Sequence, residues 1–183
     1  MTKEYNNIKN PKELLEFMNQ NIEYGFYGSD NKIHTPDSKE FNEEFNKYWV
    51  LCDKDRLLKY KYGNCYDQVE LEKDWFKSNN YEFKTFFIYY DLNHENNYFT
   101  HTYLAYKENN KWYYFEHADY NNKGIHEFNS LNELKEFQKN KFIEFNKSSG
   151  RIVNEKINSK IKIVEYNITN HNINCDEFYE YMC

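Results

Sequence analysis

The chain contains little alanine, proline, glycine and arginine. Its 183 residues include 2 Ala, 2 Pro, 5 Gly and 2 Arg, against 28 Asn, 22 Lys, 19 Tyr and 15 Phe. A core that is short of Ala must be filled with Phe, Tyr and Ile, and many Tyr hydroxyls should then lie near the surface. The bias runs along the whole chain, which argues against a surface dedicated to stacking on bases or sugars. The length predicts a single domain, residues 1–183.

Several sequence signals are absent, and each absence narrows the class of protein. The formal charge is −6 and no cluster of five Lys or Arg occurs, which argues against a nucleic-acid partner. There is no apolar signal core and no run of roughly 18 apolar residues, so we expect a cytoplasmic protein without a membrane partner. The four cysteines lack C-x-x-C spacing and predict neither zinc nor disulfides. No nucleotide-binding fingerprint occurs, so no cofactor is implied.

Capping residues and hydrophobic periodicity predict helices first and strands afterwards. Helices are expected from Asn10-Pro11, from Thr35-Pro36 through Trp49, from Asp53 to Gly63, from Cys65 to Asn79-Asn80, from Ser130 to about Lys141, and from Cys175 to Met182. Strands are expected over 81–92, 98–107, 111–116, 124–128 and 156–166. This order predicts an α+β domain in which the helix that begins at Cys65 packs on an antiparallel sheet.

Cys65 is the most informative residue, because the turn Gly63-Asn64 delivers its thiol to the first turn of a predicted helix. The unpaired N–H groups and the positive dipole end of a helix favour a thiolate at that position. A histidine, His101, heads a predicted strand about 36 residues later, and acidic residues follow. The sequence therefore favours a thiol nucleophile with an imidazole base, although a cysteine is often only a buried, inert side chain.

Two carboxylates compete for the role of the group that orients His101. With a two-residue loop at Asn109-Asn110 or a four-residue loop, Glu116 lies on the same face of the hairpin as His101. A three-residue loop or a bulge would place Asp119 there instead. We favour Glu116, with Asp119 as the alternative.

The remaining histidines and cysteines are expected to serve structure. A metal site would need Cys65, His101 and His117 to converge, and strand alternation separates the two histidines, so no metal is predicted. Surface or structural positions are predicted for His34, His94, His126 and His171. The other cysteines, Cys52, Cys175 and Cys183, are predicted to be small buried side chains or an exposed terminal thiol.

Taken together, these motifs resemble those of the transglutaminase-like cysteine enzymes of the papain-like fold. The similarity covers about residues 48 to 140 and rests on Gly63-Asn64-Cys65 before a helix, on His101 at the start of a strand, and on the run 111–116, which ends in Glu116. The family usually has Asp where this chain has Glu116. The strand 124–128 and the helix that follows it are similar to the tail of small bacterial members.

The resemblance implies acyl chemistry on a peptide-like amide of a peptide or protein. Cys65 would be the nucleophile, His101 the base and Glu116 the orienting acid, in a cysteine hydrolase or acyltransferase of the protease, amidase or transglutaminase type. The Cys65 N–H would bind the oxyanion together with a second donor, for which Gln20, Asn64, Tyr66 and Trp49 are candidates. The competing hypothesis is a catalytically inactive domain of the same fold that binds a peptide or protein in a cleft rich in aromatic side chains.

Overall fold

The structure, a computed structural model, describes residues 2–92, 99–168 and 170–182. Its helices are α1 (Thr2–Tyr5), α2 (Pro11–Asn21), α3 (Lys39–Glu43), α4 (Phe45–Tyr48), α5 (Lys54–Tyr60), α6 (Cys65–Ser78), α7 (Leu131–Ser148), α8 (Glu155–Asn158) and α9 (Cys175–Met182). Its strands are β1 (Glu23–Tyr24), β2 (Phe26–Tyr27), β3 (Ile33–His34), β4 (Tyr62–Gly63), β5 (Glu82–Tyr90), β6 (His101–Glu108), β7 (Lys111–Glu116), β8 (Gly124–Phe128) and β9 (Ile161–Tyr166). The predictions for His94 and Cys183 lie outside the described residues.

A five-stranded antiparallel sheet organises the fold, with the strand order β8-β7-β6-β5-β9. Strands β5 to β8 are neighbours in chain order, and β9 returns to pair with β5. The β6–β7 hairpin pairs Glu108 with Lys111 and therefore has the two-residue loop Asn109-Asn110. Both asparagines have positive φ, 50° and 61°, which the tight hairpin turn requires and which Asn tolerates better than most residues.

Helices cover both faces of this sheet. Helix α6 lies against β5 and β6, and α7 lies against β7 and β8. The α6 side contains Leu71, Trp75, Phe76, Leu104, Tyr106 and Phe115. The α7 side contains Phe86, Ile88, Tyr103, Ala105, Tyr114, Leu134 and Phe142. Each large side chain that is fully removed from water stabilises the fold by about 1.5–3 kcal/mol before entropy is subtracted, so these two layers hold α6 and α7 firmly on the sheet.

The structure corrects four predicted elements. The helix expected from Asp53 to Gly63 ends at Tyr60, because Lys61 takes the left-handed conformation (φ 67°), and Tyr62–Gly63 form the strand β4. The helix expected from Thr35 to Trp49 is two short helices, α3 and α4, because the backbone at Glu44 leaves helical geometry (φ −123°, ψ 21°) and α3 begins only after Ser38 caps the N–H of Phe41. The strand expected over 156–166 begins at Ile161, since 155–158 form a helical turn. Helix α7 continues past Lys141 to Ser148. None of the described helices combines the length and apolar character needed to span a bilayer.

Candidate active site

Cys65 is the first residue of α6, and the residues around it hold the helix start rigidly. The Asn64 side chain accepts hydrogen bonds from the N–H groups of Tyr66 (2.9 Å) and Asp67 (3.2 Å), and Asp67 accepts one from the Asn64 N–H (3.2 Å). This reciprocal capping box satisfies the first-turn donors on either side of Cys65. The thiol therefore lies at the positive end of a 14-residue helix, where negative charge is favoured.

Gly63 allows the turn before Cys65 to pack closely on its surroundings. A Cβ atom at this position would lie 2.7 Å from Leu57 Cδ1 and 3.0 Å from Asp67 Cβ, so a larger residue would displace α5 or α6. The placement of the thiol thus depends on the absence of a side chain two residues earlier.

Asp67 joins the start of α6 to the segment that precedes α5. Besides the Asn64 N–H, its carboxylate accepts hydrogen bonds from the Cys52 N–H (3.0 Å) and from Trp49 Nε1 (3.2 Å). Burial raises the pKa of Asp67 to about 6, while these hydrogen bonds act in the opposite direction. Asp67 therefore anchors the helix on which Cys65 lies.

His101 and Glu116 form a close pair at one end of the sheet. His101 is the first residue of β6 and Glu116 is the last of β7, and His101 Nε2 lies 2.7 Å from Glu116 Oε2. The carboxylate also accepts hydrogen bonds from the Tyr114 hydroxyl and from the Asp119 N–H, the latter at 2.7 Å. Three donors thus hold Glu116, and Glu116 in turn fixes the orientation of the imidazole.

The electrostatics of this pair favour the imidazolium–carboxylate form. Burial lowers the pKa of His101, but the charge of Glu116 and hydrogen bonds to Cys65 and Glu116 outweigh that effect and raise it well above the usual histidine value. Burial raises the pKa of Glu116, but the charge and hydrogen bond of His101 and the Tyr114 hydroxyl lower it below the usual range. Because Nε2 contacts Glu116, Nδ1 is the ring nitrogen left for the thiol of Cys65.

The alternative acid, Asp119, does not reach the imidazole. Its carboxylate accepts hydrogen bonds from the Asn121 N–H (3.0 Å) and from Asn122 Nδ2 (2.6 Å). Only the backbone N–H of Asp119 takes part in the His101–Glu116 pair, by donating a hydrogen bond to the Glu116 carboxylate. The structure thus brings together Cys65, His101 and Glu116, and places Asp119 beside them as part of a turn.

Two residues near the thiol were not anticipated from the sequence. Tyr24, in β1, is 41% exposed as a residue, but its hydroxyl is turned toward Cys65. Burial of the hydroxyl and the charges of Cys65 and Glu116 raise the pKa of Tyr24 well above its usual value, so it remains an O–H donor. Pairing of β1 with β4, directly before Asn64, brings Tyr24 here, and a two-residue strand has no detectable sequence pattern.

The second is Glu72, two helical turns after Cys65. It is only 2% exposed, and burial together with the charge of Glu116 raises the pKa of Glu72 well above the usual carboxyl value. A neutral carboxyl in this position adds no second negative charge beside His101. A buried glutamate on a helix gives no signal that distinguishes it from an exposed one in the sequence.

The candidate second oxyanion donors differ in their surroundings. Gln20 is exposed on α2, Trp49 Nε1 donates to Asp67, and the Tyr66 hydroxyl contacts Thr100. Asn64 is buried, and its Nδ2 has no acceptor among the described residues. The donors next to Cys65 that remain are therefore Asn64 Nδ2 and, unexpectedly, the Tyr24 hydroxyl.

A second imidazole, His117, ties the turn before Cys65 to the end of β7. Gln68 Nε2 donates to the Gly63 carbonyl (2.7 Å), and His117 Nδ1 lies 2.7 Å from Gln68 Oε1, which makes Nδ1–H the donor. Lys123 Nζ lies 3.3 Å from the other ring nitrogen. Burial, and then the charge of Lys123, lower the pKa of His117 to about 4, so this imidazole stays neutral.

The other described histidines and cysteines lie apart from the Cys65 thiol. His34 contacts Asp30 (2.9 Å), His126 contacts the Asn122 carbonyl (2.8 Å) and His171 contacts Glu70 (3.0 Å). Cys52 and Cys175 are buried and unbridged. Among residues 2–92, 99–168 and 170–182, no three His, Cys, Asp or Glu side chains are grouped so as to hold a metal ion.

No family model, curated protein or solved structure matches this chain.

Proposed function

We propose that the protein is a cysteine hydrolase or acyltransferase that acts on a peptide-like amide. The observation that carries this proposal is the His101–Glu116 pair, joined at 2.7 Å, beside a thiol at the start of a long helix. A nucleophile, a base and a group that orients the base are the three parts that thiol catalysis needs. The order of Cys helix, His strand and acid strand supports assignment to the transglutaminase-like enzymes of the papain-like fold.

In the proposed reaction the Cys65 thiolate attacks the amide carbonyl, and the carbonyl oxygen becomes an oxyanion. The Cys65 N–H and the Tyr24 hydroxyl are the donors that we assign to it. The His101 imidazolium then gives its proton to the leaving amine, the C–N bond breaks, and a thioester on Cys65 remains. Neutral His101 next removes a proton from water, or from an acceptor amine, which attacks the thioester; the C–S bond breaks, the acyl product leaves, and the Cys65 thiolate and the His101 imidazolium are restored.

Selective alkylation tests this proposal. At pH 6, iodoacetamide should modify Cys65 much faster than Cys52 or Cys175, as read by peptide mass mapping. Burial raises the pKa of Cys52 well above the usual thiol value and that of Cys175 to about 12, so these two serve as internal controls. An electrophilic amide or ester should also acylate the wild-type protein and not Cys65→Ala. Equal reactivity of the thiols of Cys65, Cys52 and Cys175 would contradict the proposal that Cys65 is an activated nucleophile.

A second candidate function is a binding domain without catalysis. It is favoured by two observations: Cys65 is only 5% exposed, and a cleft lined by aromatic side chains opens at its neighbours Tyr24 and His101. On this hypothesis a peptide occupies the cleft, and Cys65→Ala leaves its affinity unchanged while no acyl-enzyme forms with wild type. The same alkylation experiment separates the two functions.

A further inference from the structure

A cleft of about 460 Å³ opens beside His101, which lies in its wall with Tyr24. This volume falls within the roughly 300–1,000 Å³ that is usual for small-molecule sites. The cleft adjoins Tyr24 and His101, two polar neighbours of the thiol, so a group held in it would lie next to the reacting carbonyl. Six aromatic side chains line it: Tyr24, Phe41, Phe99, Tyr120, Phe142 and Phe145.

Exposed apolar side chains of the described residues are concentrated at this cleft. Seven large apolar side chains in the described ranges are exposed, and four of them line the cleft. These four are Tyr24, Phe99, Tyr120 and Phe145. A contiguous exposed apolar patch on a protein surface indicates a site that another molecule covers, whereas scattered single residues do not.

The charged side chains of the lining, His101, Asp119 and Lys141, each have a partner within the protein. Lys141 Nζ donates to Glu144 Oε2 at 2.9 Å, and the Asp119 carboxylate accepts hydrogen bonds from Asn121 and Asn122. These charged side chains lie at the solvent-exposed part of the lining, and most of the remaining surface is aromatic. A charged ligand group held against the aromatic part would lose its hydration without gaining a partner, which is costly, so the cleft is suited to an uncharged group.

One polar group stands out in the apolar lining. Gln138 lies in the cleft wall and is 3% exposed, so only a small part of its amide side chain faces the cleft. A mostly apolar cleft with few polar groups is the usual composition of a site that fixes a ligand's orientation.

From these observations we propose that the substrate carries an uncharged aromatic or branched aliphatic group next to the reacting carbonyl, and that this group binds in the cleft between Tyr24 and Phe145. The inference rests on the proposed function, because it assigns the substrate class of the same site. Peptides with an acidic or basic side chain at that position should react poorly.

The test compares three reagents with the same iodoacetyl group: iodoacetamide, N-phenyl iodoacetamide and the anionic iodoacetate. Their rate constants at Cys65 are divided by those with glutathione, which removes intrinsic reactivity. The phenyl reagent should exceed iodoacetamide by about 10- to 100-fold after this correction, as burial of an aromatic ring predicts. The corrected rate constant of iodoacetate should not exceed that of iodoacetamide by a comparable factor. A corrected ratio near one for the phenyl reagent would overturn the proposal.

Variants then test whether the preference for the phenyl reagent comes from the cleft. Phe145→Gln should lower the corrected phenyl preference several-fold. Tyr181→Gln is the matched control, since Tyr181 is also an exposed aromatic residue on a helix, is 54% exposed and does not line the cleft. If Phe145→Gln fails to fold by circular dichroism, Phe99→Gln serves the same purpose. A preference that survives in the folded cleft variant would contradict the assignment.

The outcome also separates this inference from the proposed function. Selective reaction of iodoacetamide at Cys65 without any preference for the phenyl reagent would refute the substrate class alone. Equal reaction of Cys65, Cys52 and Cys175 with iodoacetamide would refute the proposed function itself.

Discussion

His101 Nε2 and Glu116 Oε2 lie 2.7 Å apart although the two residues are not directly opposite each other in the hairpin. The ladder pairs Leu104 with Phe115, and continuing that register sets Glu116 opposite Tyr103 and Ala118 opposite His101. Diagonal neighbours on one face of a sheet are within reach only of long side chains. A glutamate at position 116 is long enough to span this diagonal, whereas an aspartate would be one methylene shorter.

Glu116→Gln should lower turnover about 10- to 10,000-fold, because it keeps the shape of the side chain but removes the charge that stabilises and orients the His101 imidazolium. Asp119→Asn is the matched control and should cost much less, since that carboxylate accepts hydrogen bonds from Asn121 and Asn122 and not from His101. Steady-state kinetics on a reactive ester or amide, with both variants folded and at one pH, measures the difference. A larger loss of turnover in Asp119→Asn than in Glu116→Gln would refute the assignment of Glu116 as the residue that orients His101.

His101→Ala should move the onset of Cys65 alkylation upward by about one pH unit or more. The pKa of His101 is raised above the usual histidine value, so the imidazolium that favours a neighbouring thiolate persists at and above neutral pH. The measurement is the iodoacetamide rate constant at Cys65 from pH 5 to 9. His126→Ala is the control, because His126 contacts the Asn122 carbonyl. An identical pH dependence in wild type and His101→Ala would show that the two residues do not interact.

Tyr24→Phe should lower acyl transfer by about 10²- to 10³-fold, the usual cost of removing one oxyanion donor. Alkylation of Cys65 by iodoacetamide forms no oxyanion at a carbonyl, so its rate should not fall. A variant that merely disturbed the thiol would slow both reactions together, and that result would contradict the role given to Tyr24. Tyr62→Phe, at the neighbouring strand, is the control and should leave both rates close to wild type.

His117→Gln should make the free energy of unfolding less dependent on pH in the acid range. The pKa of His117 is about 4 in the folded protein, below the usual 6.5, so this residue favours folding above pH 6.5 and that contribution is lost as the pH falls toward 4. The difference between the pKa of about 4 and the usual 6.5 corresponds to about 3 kcal/mol in the free energy of unfolding. Glutamine retains a donor for Gln68 and does not titrate.

Urea unfolding of wild type and His117→Gln from pH 8 to pH 4 measures this difference. All other titrating groups, including His101, are the same in both proteins, so the difference between the two curves isolates His117. Parallel curves would show that His117 is not kept neutral by the fold.

Local sequence information determined the elements that carry the candidate site. The cap Asn64, the stop at Asn79-Asn80 and the hairpin loop Asn109-Asn110 each act over a few residues, so helix α6 and the face shared by His101 and Glu116 were predictable. The predicted α+β class follows from the same local signals. The break at Glu44 was not predictable, because the aromatic residues on both sides keep a helical spacing across it.

Tertiary structure alone decided which side chains surround the thiol. Tyr24 reaches Cys65 only because β1 pairs with β4, and His117 reaches the Gly63 turn only through Gln68. The burial that keeps Glu72 and His117 neutral likewise comes from packing between layers far apart in the chain. Such contacts leave no periodic signal, since each depends on distant segments meeting in space and not on the spacing of neighbouring residues.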